Sequence, residues 1–428
     1  MMNKRWMSLF LSVLVCTGCT AAPPISSGDA PPFDVNAPFS QSEELVLPAL
    51  YGEGMVLQRG RVKITGKTQD TDIAVILNEK VYWGRCENGS FCIEIPDAVS
   101  GGPYSLTVRT RNFGKRFEQV YIGDVFLLGG QSNMSLTLGS CDQTLPVKYI
   151  NENIHFFTVD KQFADTPQTE VSGAWKKGNA AANMDFSAIG VIFADAMQKK
   201  ENVPVGAVCA SLGGTMTSTW LPEQEAGGIE DIPYINPEKY ANTSEPSKCY
   251  NGMIAPLTDY VFKGVLWYQG ENQTEKHQEL LTGVINGWRR VFDDASLPFL
   301  IIELPGYEVS EEPTRCALVG RNAFYGENLY TGPVITNCTR ENDAIVLSVA
   351  SEGGLTVRGT LEGCFEIRTK GATKGFVPAR AVIEGDTIVV SGIEDPVQVR
   401  YCFTSFPRPA IFDGCGLPLD QYVSPVLG

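Results

Sequence analysis

Val125-Phe126-Leu127-Leu128-Gly129-Gly130-Gln131-Ser132-Asn133-Met134 decides the reading of this chain. Four apolar residues in succession end in paired glycines, and the glycines open a polar Gln-Ser-Asn turn. A run that is apolar on both faces belongs in a parallel sheet covered on both sides. In such open sheets, ligands bind beyond the carboxyl ends of the strands. The hydroxyl of Ser132 therefore falls where chemistry is expected.

The same signature returns twice downstream. Residues 205–210 form an apolar run leading to Leu212-Gly213-Gly214-Thr215, and residues 261–268 lead to Gln269-Gly270-Glu271-Asn272. Residues 298–304 predict a further strand. Residues 184–200 place Phe186, Ile189, Phe193, Ala196 and Met197 on one helical face. Residues 278–292 do the same with Leu281, Val284, Ile285, Trp288 and Phe292. Apolar strands alternating with amphipathic helices predict a parallel α/β sheet over residues 123–330.

On either side the period changes to two. Arg61-Val62-Lys63-Ile64-Thr65 and Tyr104-Ser105-Leu106-Thr107-Val108-Arg109 alternate within residues 43–122. Val397, Val399 and Tyr401 alternate with Gln398, Arg400 and Cys402 within residues 331–428. Both patterns predict antiparallel, sandwich-like β-structure. A chain of 428 residues, 43% apolar, can fill two or three cores. With 19% charged residues, 43 Gly and 26 Pro, it suits short strands and tight turns.

The amino-terminal residues read as a leader. Lys4 and Arg5 precede an apolar run, residues 6–15, that is too short to span a bilayer. Cys16-Thr17-Gly18-Cys19 then matches a bacterial lipoprotein cleavage site, although Cys16 stands where Leu is usual. The expectation is a signal peptide over residues 1–19 with lipidation at Cys19; an ordinary secretory signal is the alternative. Residues 20–42, rich in Ala, Pro, Ser and Gly, are expected to form a flexible tether. The protein would then lie beyond the inner membrane, in the periplasm or on the cell surface of a bacterium, touching membrane only through its lipid.

A net charge of −15 repels phosphate backbones and argues against nucleic acid as a partner. The ten cysteines after Cys19 have no metal-site spacing, and there is no HExxH, so neither metal nor cofactor is expected. Cys86 and Cys92 are the easiest pair to imagine as a disulfide across a hairpin; buried thiols are the alternative. Gly66-Lys67-Thr68 lacks the spacing of a phosphate-binding loop and lies in β context.

Together the three loops hold the parts of an acyl-transfer site. Serine supplies a nucleophile, glycine lets backbone N–H groups approach a ligand, and Gln or Asn can donate to an oxyanion. Any one loop alone is a weak signal. Only two histidines exist. His155 follows Glu152 in a run that reads as a strand, and it reads as structural. His277 lies six residues after Glu271, near a helix start, and is a candidate base, with a solvent-facing role as the alternative.

Gly129-Gly130-Gln131-Ser132-Asn133-Met134 resembles the first block of the SGNH-type sialate O-acetylesterase family. Trp267-Tyr268-Gln269-Gly270-Glu271-Asn272 is similar to that family's third block. The likeness continues in Tyr51-Gly52-Glu53-Gly54-Met55-Val56-Leu57-Gln58-Arg59, in Gly213-Gly214-Thr215 with Trp220-Leu221-Pro222, in Tyr250-Asn251-Gly252-Met253-Ile254-Ala255-Pro256-Leu257, and in residues 385–390 and 397–402. It runs from about residue 44 to 417. The resemblance implies an SGNH-hydrolase-like three-layer parallel α/β domain flanked by N-terminal and C-terminal β-sandwich-like domains. It also implies removal of O-acetyl groups from sialic acid or a related acetylated glycan, without a cofactor.

By the same resemblance, Ser132 Oγ attacks the acetyl carbonyl. The N–H groups of Ser132 and Gly214 and the side chain of Gln269 hold the oxyanion, each such donor typically contributing about 3–4 kcal/mol to lowering the barrier. Gln131 joins them as a substrate-binding candidate, and Glu271 and Asn272 brace the loop. One block is missing. The family draws its general base from an Asp-x-x-His-Pro motif, and this sequence contains no Asp-x-x-His. It passes instead from residues 303–307 to Leu318-Val319-Gly320-Arg321, a shortening near residues 305–318. Losing a base typically costs several orders of magnitude in rate. A glycan-binding protein of impaired activity, and a damaged gene product, are therefore the competing readings.

Overall fold

The computed structural model describes residues 31–232, 243–270, 275–302, 312–370, 375–403 and 409–427; the expected leader with Cys19 lies outside them. Six strands precede the decisive segment: β1 (Val56–Gln58), β2 (Gly60–Lys67), β3 (Asp72–Leu77), β4 (Lys80–Arg85), β5 (Ser90–Ala98) and β6 (Gly101–Arg109). β4, β3 and β6 pair antiparallel, and β2 pairs with β5. Alternate residues of the two groups, among them Val62, Ile64, Ile73, Val75, Ile93 and Val108, meet in one core.

β7 (Gly114–Gly130) changes partners along its length. Its first half is antiparallel to β6, while β1 runs parallel to it at Tyr121, Ile122 and Gly123. From Asp124 onward it is the centre of a parallel sheet, between β10 (Val205–Ser211) and β11 (Gly264–Tyr268). β8 (Ile154–Thr158), β9 (Trp175–Lys177) and β12 (Phe299–Ile301) complete the order β12-β11-β7-β10-β8-β9, with β9 antiparallel at the edge. The domain boundary expected at residues 122–123 thus falls inside one continuous strand.

Both faces of the parallel sheet are buried, and alternation sorts its residues. Val125, Leu127, Val208, Val265 and Trp267 enter one core; Phe126, Leu128, Ala207, Leu266 and Tyr268 enter the other. The His277–Val291 helix covers the first face with Leu280, Val284 and Trp288. The Ala188–Glu201 and Glu312–Tyr325 helices cover the second with Ile189, Phe193, Met197 and Phe324. Gly320 allows those two helices to approach: a Cβ there would sit 2.6 Å from the ring of Phe193.

Two helix readings shift. Residues 184–200 are divided, because Ser187 accepts from Gly190 N–H at 3.2 Å and caps a new helix at Ala188. Met184 belongs instead to the short Ala180–Asp185 helix, capped by Asn179. In the His277–Val291 helix, Leu280 rather than Leu281 turns fully inward, since Gly287 places this face against Pro222.

Asp124 joins three parts of the fold. Its fully buried carboxylate accepts from Arg59 Nε and Nη2 (both 2.8 Å), Tyr325 Oη (2.8 Å) and Gln58 Nε2 (3.3 Å). Arg59 Nη2 also meets Glu201 at 2.9 Å. The Gln58-Arg59 pair of the amino-terminal segment is thus an anchor for the sheet and both helices.

Residues 33–40, expected within the tether, are docked instead. Arg109, 1% exposed, donates to the carbonyls of Val35 and Ala37 and lies over the rings of Phe33 and Phe39. A buried guanidinium needs those acceptors, so the segment cannot float.

The remaining chain has its own core of Ile345, Leu347, Phe365, Ile388, Val399 and Tyr401. One four-stranded antiparallel sheet orders β13 (Val334–Glu341), β14 (Ala344–Ala350), β19 (Thr387–Ser391) and β18 (Arg380–Glu384). The other orders β17 (Val377–Pro378), β16 (Phe365–Thr369), β20 (Pro396–Tyr401) and β22 (Tyr422–Val423). β15 (Leu355–Val357) pairs with β21 (Ile411–Asp413). No disulfide joins the ten described cysteines; Cys86 Sγ instead meets Thr68 O at 3.1 Å. Among the described residues, no helix is long and apolar enough to cross a membrane.

Candidate active site

Three strand ends converge on Ser132. β7 closes with Gly130 at φ +138°, where a Cβ would lie 2.0 Å from the carbonyl oxygen of Tyr268. Only glycine lets the two backbones come so close. Gln131 N–H then donates to Tyr268 C=O at the end of β11 (3.1 Å), and Leu212 N–H beyond β10 donates to Gly130 C=O (3.0 Å). The chain turns immediately into the short Ser132–Ser135 helix, with Gln131 buried, Ser132 exposed and Met134 beneath.

The turn after β10 lies against the serine. A Cβ at Gly213 would be 3.4 Å from Ser132 Cβ. Gly214 has φ +80° with nothing within 4 Å of its Cβ position, so its backbone borders open space. Thr215, fully buried, holds this turn. Its Oγ1 donates to Leu212 O (2.8 Å) and accepts from Trp220 Nε1 (3.1 Å), and its carbonyl accepts from Gln269 Nε2 (2.7 Å). Trp220, Trp267 and Trp288 stack edge to face below, and Trp288 Nε1 donates to Trp220 O (3.0 Å). Gly129 leaves room for the Trp267 and Trp288 rings, 3.0 Å and 3.1 Å from its Cβ position.

A second chain of hydrogen bonds fixes the helix from the other side. Ser135 Oγ donates to Ser211 Oγ (2.9 Å), which meets Cys209 Sγ (3.1 Å). Burial pushes the Cys209 thiol up to about 11, so it stays protonated. Thr215, Trp220, Ser211 and Ser135 were not singled out from sequence as site residues. Trp220 lay in a quoted motif, yet nothing in the sequence shows that its indole clamps the Gly213-Gly214 turn.

The structure therefore brings Ser132, Gln131, Gly214 and Gln269 to one place through shared hydrogen bonds. Gln269 is 3% exposed, and its Oε1 has no hydrogen-bond partner among the described residues. Glu271 and Asn272 lie outside the described residues. The histidines sit apart. His155 is buried in β8 with its ring 4.2 Å from that of Tyr121. Burial, aided by the nearby Lys177 charge, pushes its pKa down to about 4. Both properties remove it as a base for Ser132. His277 opens the His277–Val291 helix, half-buried, and lines an open groove of about 870 Å³ with Glu225, Ile229, Lys276, Glu279 and Thr282. Among the described residues, Ser132, Gly214 and Gln269 are not in that lining. No group of three or more His, Cys, Asp or Glu able to hold a metal occurs among the described residues.

Residues 122–324 match the family model described as carbohydrate esterase, sialic acid-specific acetylesterase. A sialate O-acetylesterase of Mus musculus is 28% identical over 263 residues, 48% of this chain and 48% of that protein. The sialate O-acetylesterase of Homo sapiens is 25% identical over 255 residues, 53% of this chain and 49% of that protein. The chain spans about half the length of the curated relatives it matches. A carbohydrate acetylesterase from Xanthomonas citri superposes with a TM-score of 0.78 at 27% identity, over 89% of this chain and 99% of that one. With the Gln-Ser-Asn turn, the Gly213-Gly214 turn and the Gln269 loop gathered at the sheet's carboxyl edge, residues 122–324 are similar to the sialic acid-specific acetylesterase domain of carbohydrate esterases.

Proposed function

We propose that the protein hydrolyses O-acetyl esters of sialic acid or a related glycan with Ser132 as nucleophile. The observation that carries this reading is the placement of exposed Ser132 against the Gly213-Gly214 turn, at the ends of three parallel strands. Ser132 Oγ attacks the acetyl carbonyl carbon and gives up its proton to a base. The tetrahedral oxyanion is held by the N–H groups of Ser132 and Gly214. Gln269 Nε2 carries two hydrogens, of which Thr215 O accepts one; the other is the third donor. Collapse expels the sugar hydroxyl, which regains a proton, and leaves acetyl-Ser132. Water then releases acetate by the same steps in reverse roles.

His277 is the candidate base to be tested, although Ser132, Gly214 and Gln269 are not among the described residues lining its groove. It is the described histidine with solvent access, and it starts the helix that follows the Gln269 loop. A lipid on Cys19 would keep the enzyme on a bacterial membrane surface facing away from the cytosol, where acetylated glycans are met.

The test is p-nitrophenyl acetate hydrolysis by the wild type, Ser132→Ala and His277→Ala. Loss in both variants supports the full assignment. Loss in Ser132→Ala alone removes His277 as the base and keeps the nucleophile. A wild-type rate no higher than Ser132→Ala overturns the esterase reading and leaves a glycan-binding protein on the same fold.

A further inference from the structure

Cys364 and Cys402 face each other where β16 and β20 leave their sheet. The register pairs Phe365 with Tyr401, which carries the two cysteines to the next cross-strand position. Cys402 N–H donates to Cys364 C=O at 2.7 Å. Directly opposed residues of antiparallel strands have Cα atoms about 4.5–5.5 Å apart, inside the roughly 4.4–6.8 Å that a disulfide spans. The two side chains influence each other's titration, and Cys364 Sγ donates to Thr360 O at 3.5 Å. Cys364 is half-buried and reachable from solvent; Cys402 is 5% exposed behind it.

We propose that Cys364 and Cys402 are a disulfide site that closes when the folded chain meets a small-molecule disulfide such as oxidised glutathione. The Cys364 thiolate attacks one sulfur of the oxidant and expels the first glutathione thiolate. The Cys402 thiolate then attacks the Cys364 sulfur of the mixed disulfide and expels the second. Two protein thiols are oxidised, one glutathione disulfide is reduced, and the two protein protons end on the expelled glutathione thiolates, giving two glutathione thiols. Burial raises the Cys364 thiol and pushes Cys402 up to about 12, so closure is slow at neutral pH and quickens as pH rises.

The bond has a structural consequence. The chain between β16 and β20 includes β18 and β19, which belong to the opposite sheet. A Cys364–Cys402 link therefore closes a loop that passes through both sheets around one core. It constrains the unfolded ensemble of this segment as a whole. The inference does not depend on chemistry at Ser132.

The full chain, treated with oxidised glutathione at about pH 8.5, is analysed by intact mass and by non-reducing peptide mapping. The expected result is a species about 2 Da lighter, with one cross-linked peptide pair carrying Cys364 and Cys402. The thermal midpoint of the carboxyl-terminal β-structure should rise by about 5–10 °C, and Cys364→Ser should lose both effects. The map of the wild type decides the matter even if that variant fails to fold. Alkylation of both cysteines after the treatment, glutathione retained on either one, or a cross-link to any other cysteine would overturn the proposal.

Discussion

Gly130→Ala isolates the backbone contact that sets Ser132 in place. At φ +138° an alanine is in a region L-residues avoid, and its Cβ would lie 2.0 Å from Tyr268 O and 2.7 Å from Tyr268 C. Real Cβ atoms essentially never approach within 3.0 Å, so β7 and β11 must part by about 1 Å at this end. The backbone conformation costs about 1–3 kcal/mol. Parting the strands also loses the 3.1 Å bond from Gln131 N–H to Tyr268 O, worth about 1 kcal/mol. A total of about 3 kcal/mol lowers the melting temperature by roughly 10 °C in a unit of this size. Ser132 lies two residues on, and a shift of about 1 Å there costs about 100-fold in ester hydrolysis. Gly214→Ala is the comparison: its φ of +80° is strained as well, but its Cβ meets nothing within 4 Å. It should cost about 1–2 kcal/mol. Calorimetry and acetate release on both variants give the answer. A Gly130→Ala protein that melts within about 2 °C of wild type, or a Gly214→Ala protein that falls as far, would refute the reasoning.

Three further outcomes follow from buried groups. His155 is neutral in the fold with a pKa of about 4, while the unfolded chain protonates it near 6.5; the unfolded state therefore binds more protons between these values, and stability falls as pH drops from 6.5 to about 4. The gap amounts to roughly 3 kcal/mol, readable as the change in urea midpoint across that window, and His155→Phe should flatten it. Arg59→Ala leaves the Asp124 carboxylate with only Gln58 and Tyr325, a loss of about 3 kcal/mol in chemical denaturation; an unchanged midpoint would show that the network contributes nothing net. Thr215→Val strands the buried indole N–H of Trp220 and should cost about 2 kcal/mol in the same assay, together with a drop in kcat that Thr215→Ser largely restores.

The parallel sheet was legible because its strands are buried on both faces. Residues 125–128 and 205–210 leave no polar residue to confuse the period, and residues 261–268 hold only Lys263; the three runs fall within β7, β10 and β11 or end on them. Where a face is only partly covered, the reading slipped. Leu281 looked as apolar as Leu280, and only the seat of Gly287 on Pro222 decides between them. The continuity of β7 was hidden because Tyr121-Ile122-Gly123 joins an alternating half to an apolar half, and Gly123 resembled a break. Its true constraint is a neighbour: a Cβ there would lie 1.8 Å from Pro204 O. Residues 33–40 looked like a linker by composition, and the buried Arg109 that holds them is 69 or more positions away in sequence.

The site was half legible. Ser132, Gly214 and Gln269 announce themselves by glycine-rich loops after apolar runs. The residues that clamp them do not: Thr215 and Trp220 act through one hydroxyl and one indole N–H, and Ser211 with Ser135 through a hydrogen bond across 76 positions. Such partners are set by tertiary geometry, which a spacing rule does not carry. The two histidines show the opposite case. Glu152 and His155 have a suggestive spacing, yet the ring is buried against Tyr121.

The central claim is that Ser132 carries the acetyl group during turnover. The protein is mixed with p-nitrophenyl acetate, quenched in acid within the first turnovers, and digested for peptide mass analysis. The account predicts a mass gain of about 42 Da, one acetyl group, on the peptide containing Ser132, together with acetate release that Ser132→Ala abolishes. No acetyl group on that peptide while acetate is released at equal rates by wild type and Ser132→Ala would contradict it.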